Sequence, residues 1–168
     1  MRYRLILVFL FLPATTAFAA ESNCTANEQV IFSCAVGEMT KVVSLCASPG
    51  LTAKSGTLYY RFGAPSKIEL EYPSRPNGTA QDFKHVHYSR SQAERTEVTF
   101  AIGQHTYAVF DYYDGSEPRK YTRGVRVAAD DVKTKETILV CKGTVTSNLH
   151  RLEGKVPCDT ESALAQCN

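Results

Sequence analysis

The sequence predicts an all-β fold: a single antiparallel β-sandwich or small barrel of about eight strands, stapled by disulfides, with a short C-terminal helical turn. Short stretches of alternating apolar and polar residues recur between turn signals from residue 28 to about residue 146. The chain also has six cysteines, three before residue 50 and three after residue 140. Alternating strands joined by tight turns favour antiparallel pairing, and cysteines at both ends favour crosslinks across the sheet.

The first twenty residues have the composition of a secretory signal. Arg2 and Arg4 precede an apolar stretch, and Ala17-Phe18-Ala19 forms a small-x-small cleavage site. We therefore expect a signal peptide at 1–19 and a single all-β domain at 20–168. No second apolar stretch approaches the ~20 residues that a membrane-spanning helix needs, so no membrane anchor is expected.

The near-zero net charge of the mature chain disfavours nucleic acid as a partner. Loss of Arg2 and Arg4 lowers Lys plus Arg from 19 to 17, which equals the 17 Asp plus Glu. A protein that holds nucleic acid by bulk positive charge is therefore disfavoured, and no nucleic-acid partner is expected. The signal predicts a periplasmic or secreted location.

An even number of cysteines in an exported protein is most simply interpreted as three disulfides. The six are Cys24, Cys34, Cys46, Cys141, Cys158 and Cys167. If all are oxidised, at least one bridge must join the two ends of the domain, because three cysteines cannot pair among themselves. Cys158 and Cys167 are close enough to pair locally, and Cys141 then pairs with Cys24, Cys34 or Cys46. A zinc site is the alternative, but no Cys-x-x-Cys pair occurs.

The first expected hairpin joins 30–36 to 41–47 across a four-residue turn. In this register Cys34 faces Val43, while Cys46 points to the opposite side. A direct bridge between Cys34 and Cys46 would therefore need a bulge or a slipped register.

The second expected hairpin spans 58–72, with a five-residue connection at 63–67. This length sets Phe62 opposite Ile68 on the apolar face. It also sets Arg61 opposite Glu69 on the solvent face, as a cross-strand ion pair.

A two-residue turn at Gly103-Gln104 gives the third hairpin. It pairs Ile102 with His105, Phe100 with Tyr107 and Val98 with Val109, so the apolar faces agree. Further strands are expected near 83–88, 123–128 and 137–145. The segments 73–81 and 114–120 have the composition of loops, and 160–166 is expected to form the short helical turn.

Two segments are candidate metal sites. Alternation along a strand places His85 and His87 on one face, where a third ligand from His105 or a distant carboxylate would complete a site; the alternative is that both are simply exposed. The turn-rich segment 111–117 carries three carboxylates that suit calcium, although an Asp-Gly turn needs no ion. Neither pattern completes a ligand set. We predict no metal and no cofactor, with metal binding by His85 and His87 left open.

The sequence contains no recognisable catalytic motif. It has no Gly-x-Ser-x-Gly elbow, no His-Glu-x-x-His pair and no Gly-rich phosphate loop. No catalytic residue is predicted, and an enzyme is disfavoured without being excluded, because carboxylates far apart in sequence can meet in space.

Tyrosines and basic residues gather around one turn. Tyr and Arg are enriched in the energetic centres of protein interfaces, because they combine contact area with hydrogen bonds. Lys120 and Arg126 add positive charge to the same region, so the loop suits an acidic cleft. The predicted binding residues are Tyr112, Tyr113, Asp114, Arg119, Tyr121 and Arg123.

Four segments carry a resemblance to other proteins: 30–34 (Val-Ile-Phe-Ser-Cys), 43–48 (Val-Ser-Leu-Cys-Ala-Ser), 60–63 (Tyr-Arg-Phe-Gly) and 68–73 (Ile-Glu-Leu-Glu-Tyr-Pro). In these the chain resembles an uncharacterised family of small exported periplasmic proteins of Gram-negative bacteria. The resemblance implies a periplasmic location and carries no active site. In size, export and all-β architecture the chain also has a general likeness to the periplasmic lysozyme inhibitors.

The leading functional hypothesis is a non-enzymatic periplasmic or secreted protein-binding domain, acting as an inhibitor or immunity protein against a cell-wall-degrading enzyme. Its expected partner is another protein, such as a lysozyme-like enzyme. The alternative is a secreted hydrolase or carbohydrate-binding module, which the absence of Trp weakens. A structural envelope protein with no discrete site is the third possibility.

Overall fold

Nine antiparallel strands form one continuous sheet in the computed structural model, which describes residues 21–65, 67–129 and 135–167. The expected signal peptide at 1–19 lies outside the described residues. The strands are β1 (Gln29–Val36), β2 (Lys41–Ala47), β3 (Leu58–Ala64), β4 (Lys67–Tyr72), β5 (Lys84–Arg90), β6 (Ala93–Ile102), β7 (His105–Asp114), β8 (Lys120–Ala129) and β9 (Thr137–Ser147). The predicted antiparallel all-β class is confirmed.

The last strand lies in the middle of the sheet. The order is β4-β3-β2-β1-β9-β8-β7-β6-β5, so β9 pairs with β1 on one side and with β8 on the other. Every other neighbouring pair joins strands that are consecutive in sequence. Two chains of local hairpins are therefore held together by a single long-range pairing.

The sheet curls into a half-barrel around an aromatic cluster. Tyr60 of β3 and Phe100 of β6 have ring centroids 4.9 Å apart, although five strands separate β3 from β6 in the sheet order. Tyr72 and Tyr107 stack on Phe100 at 4.7 and 5.1 Å. We call the face that holds this buried core the inner face, and the opposite face the outer face. Contacts between offset or tilted rings add about 0.5 to 1.5 kcal/mol each beyond the area they bury.

One of the three predicted hairpins has the expected register throughout, and a second has it from Phe32 to Val36, beyond a bulge between Val30 and Phe32. In β6–β7, Ile102 pairs with His105 and Val98 with Val109 around Gly103, which adopts a positive φ of 58°. In β1–β2, Cys34 lies opposite Val43. In both hairpins the alternation of apolar residues and the turn length indicate the same register.

The predicted register of β3–β4 is wrong by two residues. Arg61 pairs with Glu71 rather than Glu69, and Phe62 pairs with Leu70 rather than Ile68. The cause is an irregularity between Phe62 and Gly63, where Gly63 has φ 144° and lies too close to the backbone of the returning strand to accept a Cβ. Because the shift is an even number of residues, the apolar face is unchanged.

The first described residues cover the outer face of β1 to β3. The Asn23 side chain donates hydrogen bonds to the carbonyls of Val42 (3.0 Å) and Gly63 (3.2 Å). Arg61, only 8% exposed, forms ion pairs with Glu28 and Glu71, each at 2.6 Å. These contacts seat the N-terminal segment on the sheet and compensate a buried charge.

Three disulfides are formed: Cys24–Cys46, Cys34–Cys141 and Cys158–Cys167. The local pairing of Cys158 with Cys167 and the bridge between the two ends are confirmed. Of the partners left open for Cys141, the structure selects Cys34, because β1 pairs with β9. No cysteine is free in the part of the chain that the structure describes.

The C-terminal segment adds a short parallel contact to the edge of β5. The His85 amide donates to the carbonyl of Pro157 (2.8 Å), and the Asp159 amide donates to the carbonyl of His85 (2.9 Å). The helical turn near the C-terminus is a 3-10 turn at Leu149–Leu152, earlier than expected. At 160–166 the chain forms hydrogen-bonded turns instead, such as Ala165 to Ser162. Within 21–65, 67–129 and 135–167, none of the helices has the length and apolar character needed to cross a bilayer.

The disulfides are expected to differ in their contribution to stability. Cys34–Cys141 closes 107 residues and Cys158–Cys167 only 9, so the chain-entropy model gives about 5 and about 2.5 kcal/mol. We expect the paired substitution Cys34→Ala and Cys141→Ala to lower the free energy of unfolding about twice as much as Cys158→Ala and Cys167→Ala. Urea unfolding measures both. Equal losses would contradict the dominant role of the bridge between β1 and β9.

Candidate binding surface

Strands β7 and β8 bring two tyrosines, an arginine and an aspartate together on the inner face. Asp111 pairs with Arg123, and Tyr113 pairs with Tyr121. Because side chains alternate along a strand, these residues share the face of the core residue Val109. They lie beyond the point where the core ends. We call Asp111, Tyr113, Tyr121 and Arg123 the tyrosine–arginine cluster.

The rings of the cluster are in tilted contact, and one of them is exposed. The Tyr113 and Tyr121 ring centroids are 4.8 Å apart, and the guanidinium carbon of Arg123 lies 4.1 Å from the Tyr121 centroid. Arg123 Nε also donates to Asp111 Oδ1 at 2.8 Å. Tyr121 is nevertheless 58% exposed. The ion pair holds Arg123 against the ring, so Tyr121 presents a fixed aromatic surface to solvent.

A small cavity of about 190 Å³ lies beside the cluster. Besides the four cluster residues, it is lined by Glu94, Thr96, Ser147, Leu149 and His150. Typical small-molecule pockets have about 300 to 1,000 Å³. This cavity is therefore better suited to one side chain of a partner protein than to a separate ligand.

Asp114 organises the turn that follows β7. Its Oδ1 accepts hydrogen bonds from the Ser116 amide (3.0 Å) and the Ser116 hydroxyl (2.6 Å), and these bonds lower the pKa of the Asp114 carboxyl. The Gly115 amide donates to the carbonyl of Gln92 at 2.8 Å. The β7–β8 turn is thus tied to the β5–β6 turn, and the two form one end of the sheet.

Tyr112 is separated from the other predicted site residues. It lies on the outer face, where its hydroxyl donates to Glu97 and Arg126 forms an ion pair with the same carboxylate at 3.0 Å. Burial, reinforced by the bond to Glu97, raises the pKa of Tyr112 to about 12. The Arg95 guanidinium lies over the Tyr112 ring at 5.1 Å. Tyr112 and Tyr113 are adjacent in sequence, and their side chains therefore lie on opposite faces of the sheet.

Four basic side chains surround this end of the sheet. Arg119 is largely exposed and lies 3.6 Å from Glu117, and Arg95 donates to backbone carbonyls. Among the described residues, Arg90 and Lys120 have no carboxylate within ion-pair distance. We call Arg90, Arg95, Arg119 and Lys120 the basic rim.

The sequence indicated only part of this surface. Arg119 and Lys120 belong to the predicted loop, whereas Arg90 and Arg95 reach it through the contact between two turns. The sequence pattern indicates Asp111 only as a candidate calcium ligand. The signal for its pairing with Arg123 was present, since a hairpin centred on the 115–119 turn sets them opposite each other.

His85 and His87 share one face, as alternation predicts, but they have different surroundings. His85 is 4% exposed, and its Nε2 has no hydrogen-bond partner among the described residues. His87 contacts Glu94 at 3.0 Å and Glu153 at 3.4 Å. The two histidines are therefore not simply exposed.

The residues proposed as metal ligands do not assemble into a site within the described chain. The one group of three potential ligands found there is Cys24, Glu28 and Cys46, whose sulfurs form a disulfide. Neither the histidine set nor the carboxylates of 111–117 form such a group.

Comparison of the chain with protein-family models, with curated proteins and with solved structures finds no match. The function therefore has to be inferred from the chemistry of these surfaces. The likeness to periplasmic lysozyme inhibitors stays a prediction.

Buried His85 is expected to make stability depend on pH. Burial lowers its pKa from 6.5 to about 4, so protonation favours the unfolded chain, where the pKa is ordinary. This contribution is complete above pH 6.5 and is lost as the pH falls towards 4, by up to about 3 kcal/mol. His85→Leu should remove it, and exposed His105→Gln should not. Urea unfolding of the three proteins between these pH values measures the difference; parallel curves for wild type and His85→Leu would contradict it.

Proposed function

We propose that this chain is an exported, periplasmic or secreted, protein-binding domain that acts without catalysis, and that it binds through the tyrosine–arginine cluster and the basic rim. The observation that carries the proposal is Tyr121: a ring 58% exposed and yet held between Tyr113 and Arg123. A large exposed aromatic fixed on paired strands is typical of an interface anchor.

The geometry of the cluster lowers the cost of binding. A side chain that is ordered only on association loses roughly 0.5 to 1.5 kcal/mol of conformational freedom. Tyr121 is already restrained by its neighbours, and the β7–β8 pair beneath it is continuous from His105 to Asp114. Most of the contact energy of the ring is then available for affinity.

The charges favour an acidic partner. Arg123 is compensated by Asp111, so it orients Tyr121 rather than attracting a distant anion. Arg90 and Lys120 lack such a partner among the described residues and remain available to a carboxylate of another protein. Positive charge at the edge of an interface speeds encounter with a negative surface and opposes binding to a positive one.

A cell-wall-degrading enzyme of the lysozyme type fits this chemistry. Such enzymes place a pair of carboxylates in an open cleft. An aromatic anchor at the same end of the sheet as Arg and Lys side chains complements that cleft, and the disulfide-linked sheet supplies a rigid support. We therefore propose an inhibitor or immunity protein, in agreement with the general likeness described above.

The hydrolase alternative finds less support at this surface. Hydrolysis of a glycosidic bond requires two carboxylates, one as acid and one as base or nucleophile. Here Asp111 accepts a hydrogen bond from Arg123, and Glu94 contacts His87. Neither side chain is free to take up such a role.

The proposal is tested with Tyr121→Ala and Arg123→Ala. Loss of an anchor ring is expected to weaken partner binding about 30-fold, or about 2 kcal/mol, and Arg123→Ala is expected to weaken it less. The measurements are protection of peptidoglycan from a panel of purified lysozymes and direct calorimetric titration. Arg75→Ala is the matched control, because Arg75 is an exposed arginine paired with Asp82 in the loop after β4.

Two outcomes would overturn the proposal. Cleavage of peptidoglycan by the purified protein alone would make it an enzyme. Capture of the same partner from envelope extract by wild type and by a folded Tyr121→Ala, Arg123→Ala double variant, under non-reducing conditions and with equal affinity, would place the binding site elsewhere.

A further inference from the structure

A cavity of about 880 Å³ lies away from the tyrosine–arginine cluster. Its lining includes Glu97, Thr99, Tyr112 and Arg126, which alternation places on the outer face of β6 to β8. Its other wall includes residues of the C-terminal loop, from Asp159 to Leu164. The cavity is thus formed where the C-terminal loop crosses the sheet.

The loop is held in place at several points. Cys158–Cys167 closes it, and the Thr99 hydroxyl donates to Asp159 at 2.8 Å. Lys84 forms an ion pair with Glu161 at 2.7 Å, and the backbone contact with β5 fixes its start. The cavity is therefore formed before any ligand binds, which reduces the cost of binding.

The charges in the lining are compensated internally. Glu97, 4% exposed, receives hydrogen bonds from Arg126 and Tyr112. Asp159 accepts from Thr99, and Glu161 is paired with Lys84. An ionic ligand at the buried end of the cavity would have to displace Arg126 or Tyr112 from Glu97, and an unpaired buried charge is costly. The lining therefore favours an uncharged ligand.

The remaining hydrogen-bonding capacity suits hydroxyl groups. Carboxylates and hydroxyls in the lining accept, while Arg126, Lys84 and the hydroxyls donate, so a ligand must do both at close spacing. The partly buried aromatic residues Tyr72 and Tyr112 also contribute to the lining. The volume lies in the range of small-molecule sites.

We propose that this cavity binds a short, uncharged glycan. Sugars combine neighbouring hydroxyls, which donate and accept, with apolar ring faces that pack against aromatic side chains. Because the cavity lies away from the tyrosine–arginine cluster, the inference does not depend on the proposed function, and both surfaces can be occupied together.

The test uses chitotriose and, separately, cellotriose as probes. Titration of each into the ¹⁵N-labelled full domain is followed by amide NMR. At least one probe is expected to shift the amides of Thr99, Ala101 and Arg126 progressively and saturably, and to leave those of Tyr113 and Tyr121 unchanged.

Filling the cavity from either wall should weaken glycan binding. Ala101 and Ala163 are exposed alanines in opposite walls, and Ala101→Trp or Ala163→Trp is expected to weaken glycan binding at least tenfold. Ala53→Trp is the matched control, since Ala53 is exposed and is not part of this lining. Equal thermal midpoints establish that each variant is folded.

The inference is overturned if neither probe shifts these amides at millimolar concentration, or if both folded tryptophan variants bind as tightly as wild type. Partner binding that depends on Tyr121 should persist in Ala101→Trp. Failure of the glycan site and failure of the protein-binding surface are therefore distinguishable.

Discussion

β1 and β9 lie side by side in the middle of the sheet, and Cys34–Cys141 joins them across 107 residues of sequence. Every other strand pair is a local hairpin. Without this one long-range contact, β1 to β4 and β5 to β9 would be separate small sheets, each with an exposed apolar face. With it, Tyr60 meets Phe100 and the sheet curls around one core. A covalent link at this position removes much of the entropy that long-range pairing otherwise costs.

Because side chains alternate along each strand, the two faces of the sheet carry surfaces of different chemical character. Tyr113 faces inwards and packs against the exposed Tyr121 ring, whereas Tyr112 faces outwards and contacts Glu97 beside the C-terminal loop. The inner face offers an aromatic anchor, and the basic rim lies at the same end of the sheet, where alternation starts Arg90, Arg95 and Lys120 from the outer face. The outer face offers a preformed cavity with compensated charges, as a small polar molecule requires. One strand pair can support both because successive side chains of a strand point to opposite faces of the sheet.

The sequence predicted the local features well, since turn length and alternation specify hairpin register directly. The β6–β7 pairing around Gly103 and the facing of Cys34 and Val43 follow from these alone. The irregularity at Gly63 gave no such signal, because it arises from a close backbone approach that only the folded hairpin contains. The partner of Cys141 depends on the pairing of β1 with β9. Arg90 lies near the site only because the β5–β6 turn contacts the β7–β8 turn. These are properties of the tertiary structure, and the large cavity likewise exists only after the C-terminal loop has folded back.

The parallel contact between residues 157–159 and β5 also bears on how the protein behaves at high concentration. An unpaired strand at the margin of a sheet is a template for other chains, and natural proteins cover or charge such margins. The C-terminal segment covers one margin at His85. At the other margin, β4 exposes Lys67, Glu69 and Glu71, which oppose docking of a further strand. A chain truncated before residue 157 would uncover the first margin, so the C-terminal residues also guard the protein against aggregation.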